Sequence, residues 1–90
     1  MTSAVRQLEV LNRRGLHARA ATKFVRVASA FEAKIDVCHS GTEVCGTSIM
    51  GLMMLAASKG TVISVRATGE DAEAAVEALA MLVRNRFDED

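Results

Sequence analysis

Residues 13 to 21 read RRGLHARAA. His17 stands there with Arg19 two positions on and Arg13 and Arg14 upstream. Imidazole is both a nucleophile and a general base near neutral pH. A guanidinium beside it supplies a planar fork of donors suited to phosphate oxygens. The Ala-rich stretch that follows has helical periodicity, yet no Ser, Thr, Asp or Asn precedes it as an N-cap; His17 occupies that place itself. A helix N-terminus presents unpaired backbone N–H groups and a partial positive charge, and so forms an anion site. An imidazole there suits a phosphohistidine, in which the ring is the nucleophile and the helix end receives the phosphoryl oxygens. A general-base role would need a carboxylate or a substrate pocket. No carboxylate is near in sequence, and a chain of 90 residues is small for a closed pocket. A lone histidine before such a helix is more often structural, so the surrounding arginines and the uncapped helix decide the reading.

Other reactive groups offer less. His39 adjoins a Ser-Gly turn and reads as a solvated turn residue. Cys38 and Cys45 are too far apart for a CxxC motif, and two histidines, one distant, do not complete a zinc site. Both read as free thiols, in keeping with a reducing compartment; neither a metal nor a cofactor is expected.

The formal net charge is zero, but residues 1–34 carry +5 and residues 35–90 carry −5. The basic third surrounds His17 and favours anionic ligands or acidic partner surfaces. No apolar run reaches the roughly 18 residues of a membrane span, and MTSAVRQLEV lacks the features of a signal peptide. A cytoplasmic single domain over residues 1–90 is expected.

The elements that must position His17 follow from periodicity. Arg6 to Val10 alternates, with Leu8 and Val10 on one face of a strand. Asn12 to Gly15 is a polar loop. Ala18 to Ala30 is an amphipathic helix with Ala21, Phe24, Val25 and Ala28 on one face. Ile35 to His39 is a strand with Ile35 and Val37 inward. Ser40-Gly41 is a two-residue turn, and Glu43 to Cys45 returns with Val44 opposite Val37 and Glu43 opposite Cys38. Cys38 and Cys45 then become diagonal neighbours, about 7–8 Å apart, at the edge of disulfide reach. Gly46-Thr47-Ser48 opens a short helix, IMGLMML, with Ile49, Leu52 and Leu55 as core. Thr61 to Ala67 is a fourth strand. Ala72 to Arg84 is a helix with acids at its start and arginines at its end; Ala75, Val76, Leu79 and Leu82 or Val83 face in. Asp88-Glu89-Asp90 reads as a frayed acidic tail. The order β-α-β-β-α-β-α describes an α+β fold, one antiparallel sheet with helices on one face.

GLHARAA resembles the active-site motif of the HPr family, the histidine-containing phosphocarriers of the bacterial phosphoenolpyruvate-dependent phosphotransferase system. TSIMGLMMLAASKG, residues 47 to 60, resembles that family's regulatory-serine segment. The resemblance spans essentially the whole chain. It implies an open-faced β-sandwich of four strands and three helices. It implies that His17 accepts a phosphoryl group on Nδ1 from enzyme I and passes it to an enzyme IIA, with Arg19 stabilising that group. It also implies that Ser48 is the target of an HPr kinase/phosphorylase where one exists. A phosphate on Ser48 would sit favourably at the helix start and weaken docking to an acidic enzyme I surface. Met50, Met53 and Met54 are candidates for the docking surface, since methionine adapts to several partners. Such a chain is a stoichiometric carrier and not a turnover enzyme, and its size suggests a monomer. It departs from the family at Ala20, where the family usually has proline; the composition and this change are compatible with a regulatory, nitrogen-type branch as well as with sugar uptake.

Two rivals differ in chemistry. A binding module regulated only through Ser48 would have no use for both His17 and Arg19. A small nucleic-acid-binding domain would need aromatic stacking residues on its strands, and the chain has three Phe and no Trp or Tyr.

Overall fold

The computed structural model describes residues 2–89. Strand β1 (Ser3–Glu9) leads to helix α1 (Ala18–Ala28), then to β2 (Lys34–His39) and β3 (Thr42–Cys45). Helix α2 (Ile49–Met54), strand β4 (Val62–Thr68) and helix α3 (Ala72–Arg84) follow, and a 3₁₀ turn (Arg86–Asp88) is the last described element. The strands form one antiparallel sheet in the order β1-β4-β2-β3.

Alternation sorts the faces. Leu8, Ile35, Val37, Ile63, Val65 and Ala67 point to the core and are buried. They meet Ala20, Ala21, Phe24 and Ala28 of α1, Leu52 of α2, and Ala75, Val76, Leu79 and Val83 of α3. The opposite face carries polar pairs, among them Gln7 Nε2 donating to Ser64 Oγ at 3.2 Å and Arg66 to Glu43 at 3.0 Å. An antiparallel sheet with one face covered reads as this alternation.

The β2–β3 hairpin has the expected register, Val37↔Val44 and Cys38↔Glu43. Both turn residues take positive φ, 50° at Ser40 and 81° at Gly41. That is the type I′ geometry, whose twist matches the strands it joins. Cys38 and Cys45 are free thiols.

Two expectations need correction. Ile49 is not core: it is 40% exposed at the start of a helix of six residues, and Leu52 and Leu55 carry the burial there. In α1 the expected face is the one that packs, with Val25 half-buried against the core and Ala20 added to the fully buried stripe. Over Asp88 and Glu89 the tail is not frayed. Phe87 is fully buried, although Arg86, Phe87 and Asp88 all lie in the left-handed region at φ 56°, 55° and 60°.

Such a run of left-handed residues costs roughly 1–2 kcal/mol at each position and persists only where surroundings over-determine it. Here the Phe87 ring leaves water, worth roughly 1.5–3 kcal/mol. Lys23 Nζ donates to the Phe87 carbonyl at 2.6 Å. Asp88 N–H bonds to Asn85 O at 2.9 Å, and Glu89 N–H to Arg86 O at 3.0 Å. Asp90 lies outside the described residues.

Replacing Phe87 with alanine should lower the unfolding free energy by about 3–5 kcal/mol, read as an earlier urea midpoint at an unchanged slope. A midpoint equal to wild type would contradict the burial of the ring.

Candidate functional site

The loop between β1 and α1 is built from backbone contacts. Val10 N–H bonds to Thr61 O and Gly60 N–H to Val10 O, both at 2.8 Å, so the chain leaving β1 is held against the start of β4. Asn12 is buried, and its Nδ2 donates to Gly15 O at 2.8 Å. Gly15 N–H returns to Asn12 O at 3.2 Å, and Leu16 N–H bonds to Ala57 O at 2.9 Å. Gly15 has φ +65°, and a Cβ on it would stand 2.4 Å from Ala57 O. Only glycine combines that dihedral with that approach.

His17 follows with extended backbone, φ −79° and ψ 179°, as the N-cap of α1. Its side chain does not cap the helix. Its carbonyl accepts from Ala21 N–H at 2.8 Å, so by helical geometry the N–H groups of Ala18, Arg19 and Ala20 have no partner inside the helix. The first turn contains no acidic residue. Arg19 is exposed on it, and Arg13 and Arg14 are exposed on the preceding loop.

The imidazole has a partner that the sequence did not reveal. His17 Nε2 lies 2.8 Å from Glu89 Oε1, and each side chain is 20% exposed. A carboxylate accepts, so Nε2 is the protonated nitrogen in this contact. The expectation that no carboxylate stands near His17 therefore fails in space while holding in sequence. The overlooked signal is Phe87, one apolar ring in a charged tail, which anchors the chain two residues before Glu89.

Helix α2 carries the second group of expected residues. Ser48 is its N-cap, with Oγ accepting from Gly51 N–H at 2.9 Å. Met50, Met53 and Met54 are all exposed beyond it. Helices α1 and α2 are in contact, so the two motifs lie on neighbouring elements. His39 is not a solvated turn residue: it is half-buried, and its Nδ1–H donates to Leu55 O at 3.1 Å, closing the C-cap of α2. The Cys45 thiol lies 3.1 Å from Thr47 Oγ1. That hydroxyl, followed by the Thr47 backbone, lowers its pKa below the usual thiol value.

An open-faced antiparallel sheet backed by helices thus presents an imidazole at an uncapped helix N-terminus. Comparison with known proteins is specific. The family model described as the PTS HPr component phosphorylation site matches residues 4–85. A phosphocarrier protein HPr of Xylella fastidiosa is 51% identical over 84 residues, covering 93% of this chain and 94% of that protein. A phosphocarrier protein NPr of Shewanella violacea is 42% identical over 89 residues, covering 99% and 98%. The crystal structure of an HPr from Thermoanaerobacter tengcongensis superposes with a TM-score of 0.90 at 40% identity, covering 100% of this chain and 99% of that one. The chain belongs to the HPr family of phosphocarrier proteins of the phosphotransferase system.

Gly15→Ala should destabilise the fold by roughly 2–4 kcal/mol, through the strained dihedral and the clash with Ala57 O together. It should also shift the His17 ring resonances in a two-dimensional NMR spectrum. Wild-type stability with unmoved ring resonances would show that the close approach does not set the site.

Proposed function

We propose that this chain carries phosphoryl groups on His17 Nδ1, accepting them from enzyme I and delivering them to an enzyme IIA component. The observation that carries this reading is the imidazole at the open N-terminus of α1, with Nε2 taken by a carboxylate and Nδ1 free. Attack by the Nδ1 lone pair forms the N–P bond as the donor's bond to phosphorus breaks and its leaving atom keeps the electron pair. The helix N–H groups and the Arg19 guanidinium are suited to the phosphoryl oxygens, where fixed donors need no reorganisation. Ala20, in the place of the family's proline, keeps an N–H in that first turn while its methyl group fills the core. The protein is consumed and regenerated as a carrier and does not turn over a substrate of its own.

Ser48 serves as the regulatory phosphorylation site for an HPr kinase/phosphorylase, and Met50, Met53 and Met54 belong to the surface on which partners dock. Exposure of three flexible apolar side chains on one short helix supports this reading. No helix among the described residues is long and apolar enough to cross a membrane, and the reading places the carrier in the cytoplasm.

Incubation with phosphoenolpyruvate, Mg²⁺ and enzyme I should add one phosphate by intact mass, lost on brief acid treatment and absent in His17→Ala. Arg19→Ala should slow its appearance roughly 10- to 100-fold, less than for a buried oxyanion donor because the guanidinium is exposed. No phosphate on the wild-type protein, with enzyme I proven active on another carrier, would overturn the carrier role.

Ser48→Asp should slow phosphorylation by enzyme I by its charge. Ser48→Ala should cost only the cap, about 1 kcal/mol of stability, and leave the rate near wild type. Equal rates for the two variants would remove the regulatory role from Ser48.

A further inference from the structure

Alternate residues of β2 point to the helices. Ile35 and Val37 are buried there, and His39, the last residue of the strand, continues the row half-buried at the rim of the core. Its ring reaches the C-terminal end of α2, where Nδ1–H donates to Leu55 O at 3.1 Å. The second histidine of the chain is thus a fixed group, bonded to the backbone of another element.

The carbonyl it holds lies in an unusual piece of chain. Leu55 and Ala57 turn their side chains into the core, while Ala56 between them is exposed and has φ 53°. An L residue enters that left-handed region only where its surroundings hold it. The φ of Ala56 depends on the plane of the Leu55–Ala56 peptide, because turning a central peptide over changes the sign of φ at the residue that follows, as between type I and type II turns. Here the peptide is held at both ends. Its N–H bonds to Met53 O at 3.1 Å, and its carbonyl takes the His39 proton. One residue further on, Ala57 O accepts from Leu16 N–H at 2.9 Å. Leu16 directly precedes His17, so the backbone path through Ala56 decides where the carbonyl that anchors the His17 loop lies.

We infer that His39 is a positioning residue for phosphoryl transfer at His17: by fixing the Leu55–Ala56 peptide it keeps Ala56 left-handed and the Ala57 carbonyl on Leu16 N–H. The inference rests on the carrier reading above and assigns to it a residue from the far side of α2. Loss of the His39 bond frees the peptide to turn over. Ala56 then relaxes, the Ala57 carbonyl draws away from Leu16, and the entry of the chain into α1 loosens. The same bond holds the end of α2 that carries the exposed Met53 and Met54, so the methionine face and the His17 loop are tied to one peptide.

The test uses the full chain with His39→Leu, which keeps an apolar bulk and removes the donor, and His39→Asn, whose Nδ2 can stand where Nδ1 of the imidazole stands. Amide hydrogen exchange is read at Leu16 and, as an internal reference, at Val10, whose N–H bonds to Thr61 O at 2.8 Å without passing through Ala56. In His39→Leu the Leu16 amide should exchange about 2- to 10-fold faster, the range set by one neutral hydrogen bond, with Val10 unchanged. Phosphorylation by enzyme I and phosphoenolpyruvate should slow by a similar factor of about 2 to 10. His39→Asn should recover part of both effects. A merely structural role would speed exchange at Leu16 and Val10 alike, and that result would overturn the inference. So would a wild-type phosphorylation rate in His39→Leu, or a His39→Asn protein no better than His39→Leu. A wild-type protein that takes no phosphoryl group would instead bring down the carrier reading, and the role of His39 in transfer with it.

Discussion

The site depends on one close backbone approach, that of Gly15 to Ala57. The loop after β1 and the loop before β4 touch there with no side chain between them, and Leu16 N–H bonds to Ala57 O at 2.9 Å. The contact fixes the direction in which the chain enters α1. His17 must leave the loop with extended backbone, and its carbonyl must start the helix. Were the loops further apart, Leu16 would leave the core, where it is 5% exposed. The helix would lose its anchored end, and the open N–H groups would point nowhere in particular. A reactive end of a helix is useful only if the helix cannot roll, and the fully buried stripe of Ala20, Ala21, Phe24 and Ala28 prevents rolling.

A second constraint comes from the sheet. Its order, β1-β4-β2-β3, sets the first and last strands side by side, so the loops at their ends meet without a long connection. Helix α3 packs against β1 and β4 and ends close enough to α1 for the chain beyond it to turn back. The position of Glu89 is thus a consequence of topology as much as of the turn. The sheet's polar outer face takes no part in this, and its ion pairs around Arg66 are exposed and contribute little.

What was legible in the sequence was what local physics decides. The hairpin register followed from period-2 patterning and a Ser-Gly turn. The limits of α3, Ala72 to Arg84, followed from acids at one end and arginine at the other. His17 and Arg19 stood out because a helix began there without a cap. Two of the failures share a cause: each involves a partner beyond the local pattern. Phe87 is buried with its carbonyl on Lys23, 64 positions earlier. His39 bonds to a carbonyl 16 positions later, at the end of α2. Neither pattern is periodic. Ile49 failed differently, because a helix of six residues has too few turns for its spacing to single out a face.

The separation of charge along the chain acquires a meaning once the tail is in place. Read linearly, the first third is basic and the rest acidic, which suggests only steering of an anion. In space, the imidazole of His17 sits between the two kinds of charge. The ring stands at the N-terminus of α1, whose first turn carries Arg19 and no acid, and the Glu89 carboxylate from the acidic end of the chain is bonded to its Nε2. A histidine with donors on both sides would bind a phosphate but would resist becoming an imidazolium; one with acceptors on both sides would repel the phosphate. On the carrier reading, a ring that must both bind a phosphoryl group and pass it on is served by different environments at its two nitrogens, and the Glu89 carboxylate defines the one at Nε2.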